Sequence, residues 1–269
     1  MRVSFITMSP KNLVIVSDYG VGDPAFAEVS VRLYSLTEGL TILPISTPPF
    51  STINTGFWIS QIALADHVEN TYIYSNTAPR KEKKSAQKNN SGEKLMYAKL
   101  KNGFEIMAVN SGYCFSFVKD HIEEFRFVKV SNEGSQFRSR DNYPQMVAKM
   151  INGDESFKGE KGSVDTIPDV PKNRVASIDG YGNIKTTTRL SEVNLKPGQK
   201  VLISLGGDKL QATFSDGVFN IEEGETAFAP GSSGYEDKFM EVFVRGGSAF
   251  MLFRTPKVED EFAVLEYER

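Results

Sequence analysis

Short apolar runs and helical periodicities alternate through the first half of the chain. Leu13-Val14-Ile15-Val16 is a compact apolar run that ends in Ser17-Asp18-Tyr19-Gly20-Val21-Gly22-Asp23-Pro24, the pattern of a buried strand running into a turn. Asp23 then stands as an N-cap with Pro24 at the first helical position, and Phe26, Val29 and Leu33 continue at helical spacing. Thr41-Ile42-Leu43 reads as a second strand. After Pro48-Pro49, Ser51 or Thr52 caps a helix whose apolar positions are Ile53, Phe57, Trp58, Ile62 and Ala65. Tyr72-Ile73-Tyr74 is a third strand. Strand–helix–strand alternation of this kind predicts a partly parallel sheet flanked by helices.

The basic stretch 80–92 reads as a solvated loop, with an anion or an acidic partner as its functional alternative. Met96–Leu100 and Phe104–Val109 flank Asn102-Gly103, a strong hairpin signal. Asn142-Tyr143-Pro144 opens a short helix through Met146, Val147 and Met150, closed by Gly153. Residues 152–172, with Gly, Ser, Asp, Lys and two prolines, have the composition of a linker. Beyond them the period changes to two. Val175–Ile178, Lys200–Leu205, Gln211–Phe214, Phe239–Val244 and Ala249–Phe253 read as short strands between turns, which predicts an all-β barrel or sandwich.

Charge and composition narrow the classes. In 269 residues, Lys+Arg 31 against Asp+Glu 34 gives a net charge of -3, so no overall field favours nucleic acid or membrane. A single cysteine, Cys114, forbids an intramolecular disulfide, and with only His67 and His121 beside it no zinc site of the Cys/His type is expected. No apolar run has the length of a membrane span, and the first residues lack a secretory pattern. These features predict a soluble, cytoplasmic protein without a metal and without nucleic-acid or membrane partners.

Three segments carry candidate chemistry. Asp18-Tyr19-Gly20 lies at the carboxyl end of the first strand, where open α/β sheets bind ligands and where a carboxylate can take both hydroxyls of a ribose. The bland alternative is a capping or turn residue. Ile178-Asp179-Gly180-Tyr181-Gly182-Asn183 offers a carboxylate, an aromatic ring and an amide to a zwitterion and a base, or else forms a turn between two strands. Gly231-Ser232-Ser233-Gly234-Tyr235, with Arg245-Gly246-Gly247-Ser248-Ala249, offers loop amides and a guanidinium, or a plain hairpin connection. No dinucleotide fingerprint, Walker sequence or Gly-x-Ser-x-Gly elbow is present.

Taken in order, these segments resemble the S-adenosylmethionine (SAM) hydroxide adenosyltransferases, relatives of the SAM-dependent fluorinase and chlorinase. Val16-Ser17-Asp18-Tyr19-Gly20 with Asp23 is similar to that family's Thr-Asp-Phe-Gly…Asp, and Ile178–Asn183 to its Ile-Asp-x-Phe-Gly-Asn. Asn110-Ser111-Gly112 is similar to Asp-Asn-Gly, and Ser135-Gln136-Phe137-Arg138-Ser139-Arg140-Asp141 to Ser-Thr-Phe-His-Gly-Arg-Asp. The resemblance implies an N-terminal α/β domain (1–160) with a mainly parallel sheet flanked by helices and a C-terminal all-β barrel domain (170–269). It also implies a homotrimer with SAM sites shared between neighbouring subunits. By the same resemblance Asp18 holds the ribose. Asp179 and Asn183 hold the methionine amino-acid group and Tyr181 lies near the adenine, while Ser233, Tyr235, Arg245 and Ala249 complete the adenine and carboxylate contacts.

The departures bear on turnover. The segment Ile73-Tyr74-Ser75-Asn76-Thr77-Ala78-Pro79 stands where the hydroxide transferases have Val-Val-Asp-Pro-Gly-Val-Gly-Thr, so Tyr74 replaces the Asp and Arg138 replaces the His. Their arginine corresponds to Arg80 or is replaced by Lys81. Tyr74 with Thr77, and Ser139 at the halide-binding serine, are similar to the halogenase branch. Tyr74, Arg138 and Ser139 are therefore the candidate catalytic residues, with Thr77 among the ligand-binding ones. The expected reaction is nucleophilic substitution at the 5′-carbon of SAM, with SAM as substrate and no further cofactor. The alternatives are a non-catalytic SAM- or adenosine-binding protein and a halogenase.

Overall fold

The computed structural model describes residues 10–79, 92–131, 137–217 and 220–267. The chain divides into two compact units, Met1–Pro168 and Asp169–Arg269.

The first unit contains β1 (Lys11–Ser17), α1 (Pro24–Tyr34), β2 (Leu40–Ser46), α2 (Thr52–Ala63), β3 (Thr71–Asn76), β4 (Leu95–Leu100), β5 (Glu105–Val109), β6 (Ile122–Val128), α3 (Arg138–Asp141), α4 (Tyr143–Ile151) and β7 (Lys158–Lys161). Its sheet runs β2-β1-β3-β5-β4-β6-β7. Successive residues of β1 point to opposite faces. Leu13 and Ile15 join Val29 and Leu33 of α1 and Val147 of α4 in one core, while Val14 and Val16 join Ile59 and Ala63 of α2 in another. Burial on both sides explains why β1 reads as a continuous apolar run instead of an alternating one. The helix starts are local: the Asp23 carboxylate accepts from the Ala25 N–H at 2.8 Å, and Ser51 accepts from the Asn54 N–H at 3.3 Å.

The second unit contains β8 (Val175–Ile178), β9 (Ile184–Arg189), β10 (Lys200–Leu205), β11 (Asp208–Phe214), β12 (Thr226–Pro230), β13 (Phe239–Val244), α5 (Ala249–Leu252) and β14 (Phe262–Glu266). These strands form a second sheet, β14-β10-β11-β12-β13-β9-β8, antiparallel at every step except β11 with β12. The sheet curls into a half-barrel. Its two edges approach where Arg174 bridges Glu261, and there the Val175 N–H donates to the Asp260 carbonyl at 2.9 Å. Val201, Ile203, Phe214, Phe228, Met240, Val242 and Phe253 fill its inner face.

Several expectations change. The first sheet is mixed, not mainly parallel. β2, β1, β3 and β5 run parallel, whereas β4, β6 and β7 are joined antiparallel. The tight hairpin at Asn102-Gly103 reverses the chain after β4, and from there successive pairings stay antiparallel. Residues 152–172 are not simply a linker, since β7 extends the first sheet by pairing with β6. Ala249–Leu252 is helical instead of extended, with Phe253 closing the turn. Ser248 caps that turn by accepting from the Met251 N–H at 3.3 Å, and Ala249 and Phe253, four residues apart, share the buried side. A solid apolar run does not distinguish strand from helix by periodicity.

Candidate functional site

In the first sheet β1 lies between β2 and β3. The chain goes from β1 through α1 to β2 on one side, then through α2 to β3 on the other. The two helices cover opposite faces, so the sheet has its topological switch point at the carboxyl ends of β1 and β3, where crevices form in such folds. Asp18 follows β1 and Thr77 follows β3, and the residues before them, Ser17 and Asn76, are partners in register. The Ser17 hydroxyl ties the two strand ends together by donating to the Asn76 carbonyl at 2.6 Å. Asp18, half-buried, accepts from the Phe50 N–H at 3.0 Å.

Behind these residues runs a chain of buried hydroxyls that includes Thr77 and two residues that sequence reading did not single out, Thr47 and Thr55. Thr47 and Thr55 lie 3.2 Å apart, Thr55 and Thr77 2.9 Å apart, and Ser111 donates to the Thr77 carbonyl. The Thr47 N–H in turn donates to the Ser17 carbonyl at 2.9 Å. Hydroxyls in a water-poor setting must pair with one another, so this chain fixes the strand ends and the first turn of α2 in one arrangement. The sequence signal was present as polar residues at the carboxyl ends of apolar strands.

Tyr74, Arg138 and Ser139 are brought together, but each is engaged. The Tyr74 ring is wholly buried, and its hydroxyl donates to the Ser139 carbonyl at 3.2 Å. Burial pushes the Tyr74 phenol well above its ordinary pKa. Ser139 is buried, and its side chain hydrogen-bonds the Tyr19 hydroxyl, which also accepts from the Asn76 amide at 3.2 Å. The Arg138 guanidinium lies 5.5 Å from the centre of the Tyr143 ring. Asp141 is gripped by Arg140, with N–O distances of 2.7 and 2.9 Å. The candidate arginine alternatives Arg80 and Lys81, the basic stretch 80–91, and Ser135 and Gln136 lie outside the described residues.

The buried phenols make an alkaline prediction. Burial raises the pKa of Tyr19, Tyr74 and Tyr143 above the ordinary value of 10.0. Above that pH the unfolded chain loses phenol protons that the folded chain keeps. The stability they contribute is thus complete below about pH 10 and falls as pH rises, by at most about 1.4 kcal/mol per pH unit for each phenol and only until its raised folded pKa is passed. Urea melts at pH 8 and 11, with tyrosinate absorbance recorded alongside, test this. Full phenolate absorbance in the folded protein near pH 10, with an unchanged midpoint, would refute it.

In the second unit Asp179 is an internally satisfied turn residue. One of its oxygens accepts from the Tyr181 and Asn183 N–H groups, each at 3.0 Å. The other accepts from the Asn183 side-chain amide at 3.0 Å and lies 3.7 Å from the Lys185 ammonium. Tyr181 sits at the tip of this turn, 82% exposed. Gly182, at φ +81, leaves room for Ser248, whose hydroxyl would stand 2.0 Å from an added Cβ. The Phe250 N–H donates to the Gly182 carbonyl at 2.8 Å, which fixes the turn to α5.

Lys185 and Glu241 are the unexpected pair. They are opposite one another on β9 and β13, 2.5 Å apart, and only 7% and 6% exposed. Glu241 also accepts from the Ser232 N–H at 3.3 Å, and a Cβ on Gly231 would collide with it at 1.9 Å. One charged residue inside each of two otherwise uncharged strand interiors was the available sequence signal.

The remaining candidates have structural engagements of their own. Ser233 is buried and its carbonyl accepts from the Phe239 N–H at 2.9 Å, which closes the loop carrying the exposed Tyr235. Arg245 donates to the Ile221 carbonyl at 2.6 Å. Ala249 packs into the apolar core.

No protein-family model and no curated protein matches the chain. Among solved structures, it is similar to an uncharacterized conserved protein from Thermotoga maritima, with TM-score 0.74 and 17% identity over 94% of this chain and 100% of that one. It is also similar to a conserved hypothetical protein from Thermus thermophilus, with TM-score 0.66 and 19% identity over 95% of this chain and 100% of that one. At these identities the likeness establishes a shared fold. Among the described residues, no helix is long and apolar enough to cross a membrane. No cluster of three or more His, Cys, Asp or Glu side chains arranged for a metal occurs among them either.

Proposed function

We propose that the protein binds an adenosine-type nucleoside, SAM or adenosine, as the SAM hydroxide adenosyltransferases do. The observation that carries this reading is the placement of Asp18 and Thr77 at the carboxyl ends of β1 and β3, beside the switch point of the first sheet. In this reading Asp18 takes the ribose hydroxyls, and the hydroxyl chain through Thr47, Thr55 and Thr77 supports it. As the resemblance implies, the Asp179–Asn183 turn, Ser233, Tyr235, Arg245 and Ala249 would come to that ligand from the second unit of a neighbouring subunit. A homotrimer belongs to the same proposal.

SAM carries a sulfonium, so attack at its 5′-carbon expels neutral methionine without acid assistance. Such a site must hold a nucleophile in line and strip its water. The groups that could do so here are committed elsewhere. The Tyr74 hydroxyl donates to a carbonyl, Ser139 bonds Tyr19, and Arg138 lies over Tyr143. These engagements favour nucleoside binding without rapid turnover over hydrolysis or halogenation.

The test is calorimetric. A carboxylate that hydrogen-bonds a ligand contributes about 1.5–3 kcal/mol. Asp18→Ala should accordingly weaken adenosine binding by roughly ten-fold or more. Wild-type protein that takes up neither adenosine nor SAM at millimolar concentration would end the proposal.

A further inference from the structure

The outer side of α1 carries a second apolar stripe. Val29 and Leu33 turn the helix into the core of the first unit. Opposite them, Pro24, Ala27, Val31 and Tyr34 follow one another at spacings of three, four and three residues, the spacing of a coiled-coil seam. Among the described residues nothing covers this stripe: Val31 is 67% and Tyr34 51% exposed, and Pro24 and Ala27 are exposed too. A surface helix ordinarily has one apolar face, toward the core, and a polar one outside. Here the outer face is apolar along its length and polar only at its flanks, with Glu28 and Arg32 on one side and Ser30 on the other. Glu28 lies 3.4 Å from Arg140 with its side chain 46% exposed, and Arg32 is exposed one turn further on. Ala27, Glu28, Val31 and Arg32 also line a shallow groove against Arg140 and Asp141 of α3.

These features fit a second copy of the same helix running in the opposite direction. Antiparallel packing sets large side chains against small ones, Val31 beside the second copy's Ala27 and Tyr34 beside its Pro24. It also brings equal flanks together, so each Glu28 lies beside the second copy's Arg32. A parallel pair would turn the charged flank toward Ser30. A partner of a single sign would satisfy only one of the two charges. The helix dipoles of an antiparallel pair oppose one another, which is the favourable sense. Every contact across a two-fold axis occurs twice, so a short patch counts double.

We propose that α1 is a docking surface for a second copy of the chain, an isologous antiparallel pairing through Pro24, Ala27, Val31 and Tyr34 with Glu28 and Arg32 at its flank. The contact is independent of the nucleoside reading. Two helices of 11 residues bury less than the standard area of a permanent complex, so the association is reversible and depends on concentration. In a homotrimer the same contact joins trimers in pairs.

The experiment is sedimentation equilibrium over a range of concentrations. The wild-type mass should double between the lowest and the highest, whatever the starting assembly. Val31→Lys, at an exposed position, should move that transition to a concentration at least about ten-fold higher, because it sets two ammonium groups at the centre of the patch. Glu28→Arg and Arg32→Glu should each weaken self-association. An equimolar mixture of those two variants should restore it, since every introduced guanidinium then faces an introduced carboxylate. A wild-type mass that stays constant with concentration would overturn the proposal and leave the face to another occupant. So would a doubling that Val31→Lys does not affect. A mixture that associates no better than its two components alone would refute the antiparallel pairing.

Discussion

Lys185→Met alone is expected to destabilise the protein by about 3–5 kcal/mol, because it leaves the Glu241 carboxylate buried without its counter-ion. The pair is 2.5 Å apart, and neither residue is more than 7% exposed. The Ser232 N–H at 3.3 Å is a single weak donor and does not replace an ammonium. Adding Glu241→Gln should restore most of the loss, since removing both members of a buried pair is often close to neutral. Denaturant melts followed by circular dichroism measure both effects. Tryptophan fluorescence would not serve, because the single tryptophan, Trp58, lies in the first unit. A single-variant loss below about 1 kcal/mol would show that the pair is solvated and contributes as a surface pair does.

SAM incubated with the protein is expected to yield adenosine at least 10²-fold more slowly than a site with a positioned base would, since general acid–base assistance typically contributes about 10²–10⁴-fold. Tyr74 stands where the resembling family has its Asp, but burial keeps its phenol protonated far above neutral pH and its proton is directed at the Ser139 carbonyl. Nor can an acid be installed there freely. Tyr74→Asp would put a carboxylate in the apolar core beside Leu13, Ile15 and Met107, where it would unfold the unit before it activated water. Arg138→His, on the half-buried residue of α3, is the better probe for gain of hydrolysis. Chromatography of SAM incubations, with and without chloride or fluoride, separates adenosine from 5′-halo-adenosine. Rapid adenosine formation by the wild type would show that another group activates water. Halo-adenosine would show that the Ser139 hydroxyl leaves Tyr19 for an anion.

Much of the first unit was legible because its signals are local. Asp23-Pro24 and Ser51-Thr52 start α1 and α2 through bonds that span two or three residues. Asn102 bonds the Phe104 N–H at 3.1 Å, and with Gly103 at φ +86 this reverses the chain between β4 and β5. Asp18 could be placed at a strand end because the apolar run stops at Val16. By contrast, β9, with the sequence Ile-Lys-Thr-Thr-Thr-Arg, shows no apolar alternation and went unread. Its threonines are buried by tertiary partners, as when the Thr186 hydroxyl donates to the Met240 carbonyl at 2.8 Å. Likewise β6, β7, β12 and β14 are short or mixed in polarity, and what holds them is the neighbour each finds in its sheet.

The site divides along the same line. The sequence by itself determined the strand ends, the helix caps, the Asp179–Asn183 turn and the presence of Asp18, since each depends on residues a few positions apart. Only the tertiary structure decided that Thr77 meets Thr55 across 22 positions, that Tyr74 meets Ser139 across 65, and that Lys185 meets Glu241 across 56. Those meetings follow from sheet order and strand register. Both are set by the packing of whole apolar faces, an energy shared over many residues and carried by no short stretch of the chain.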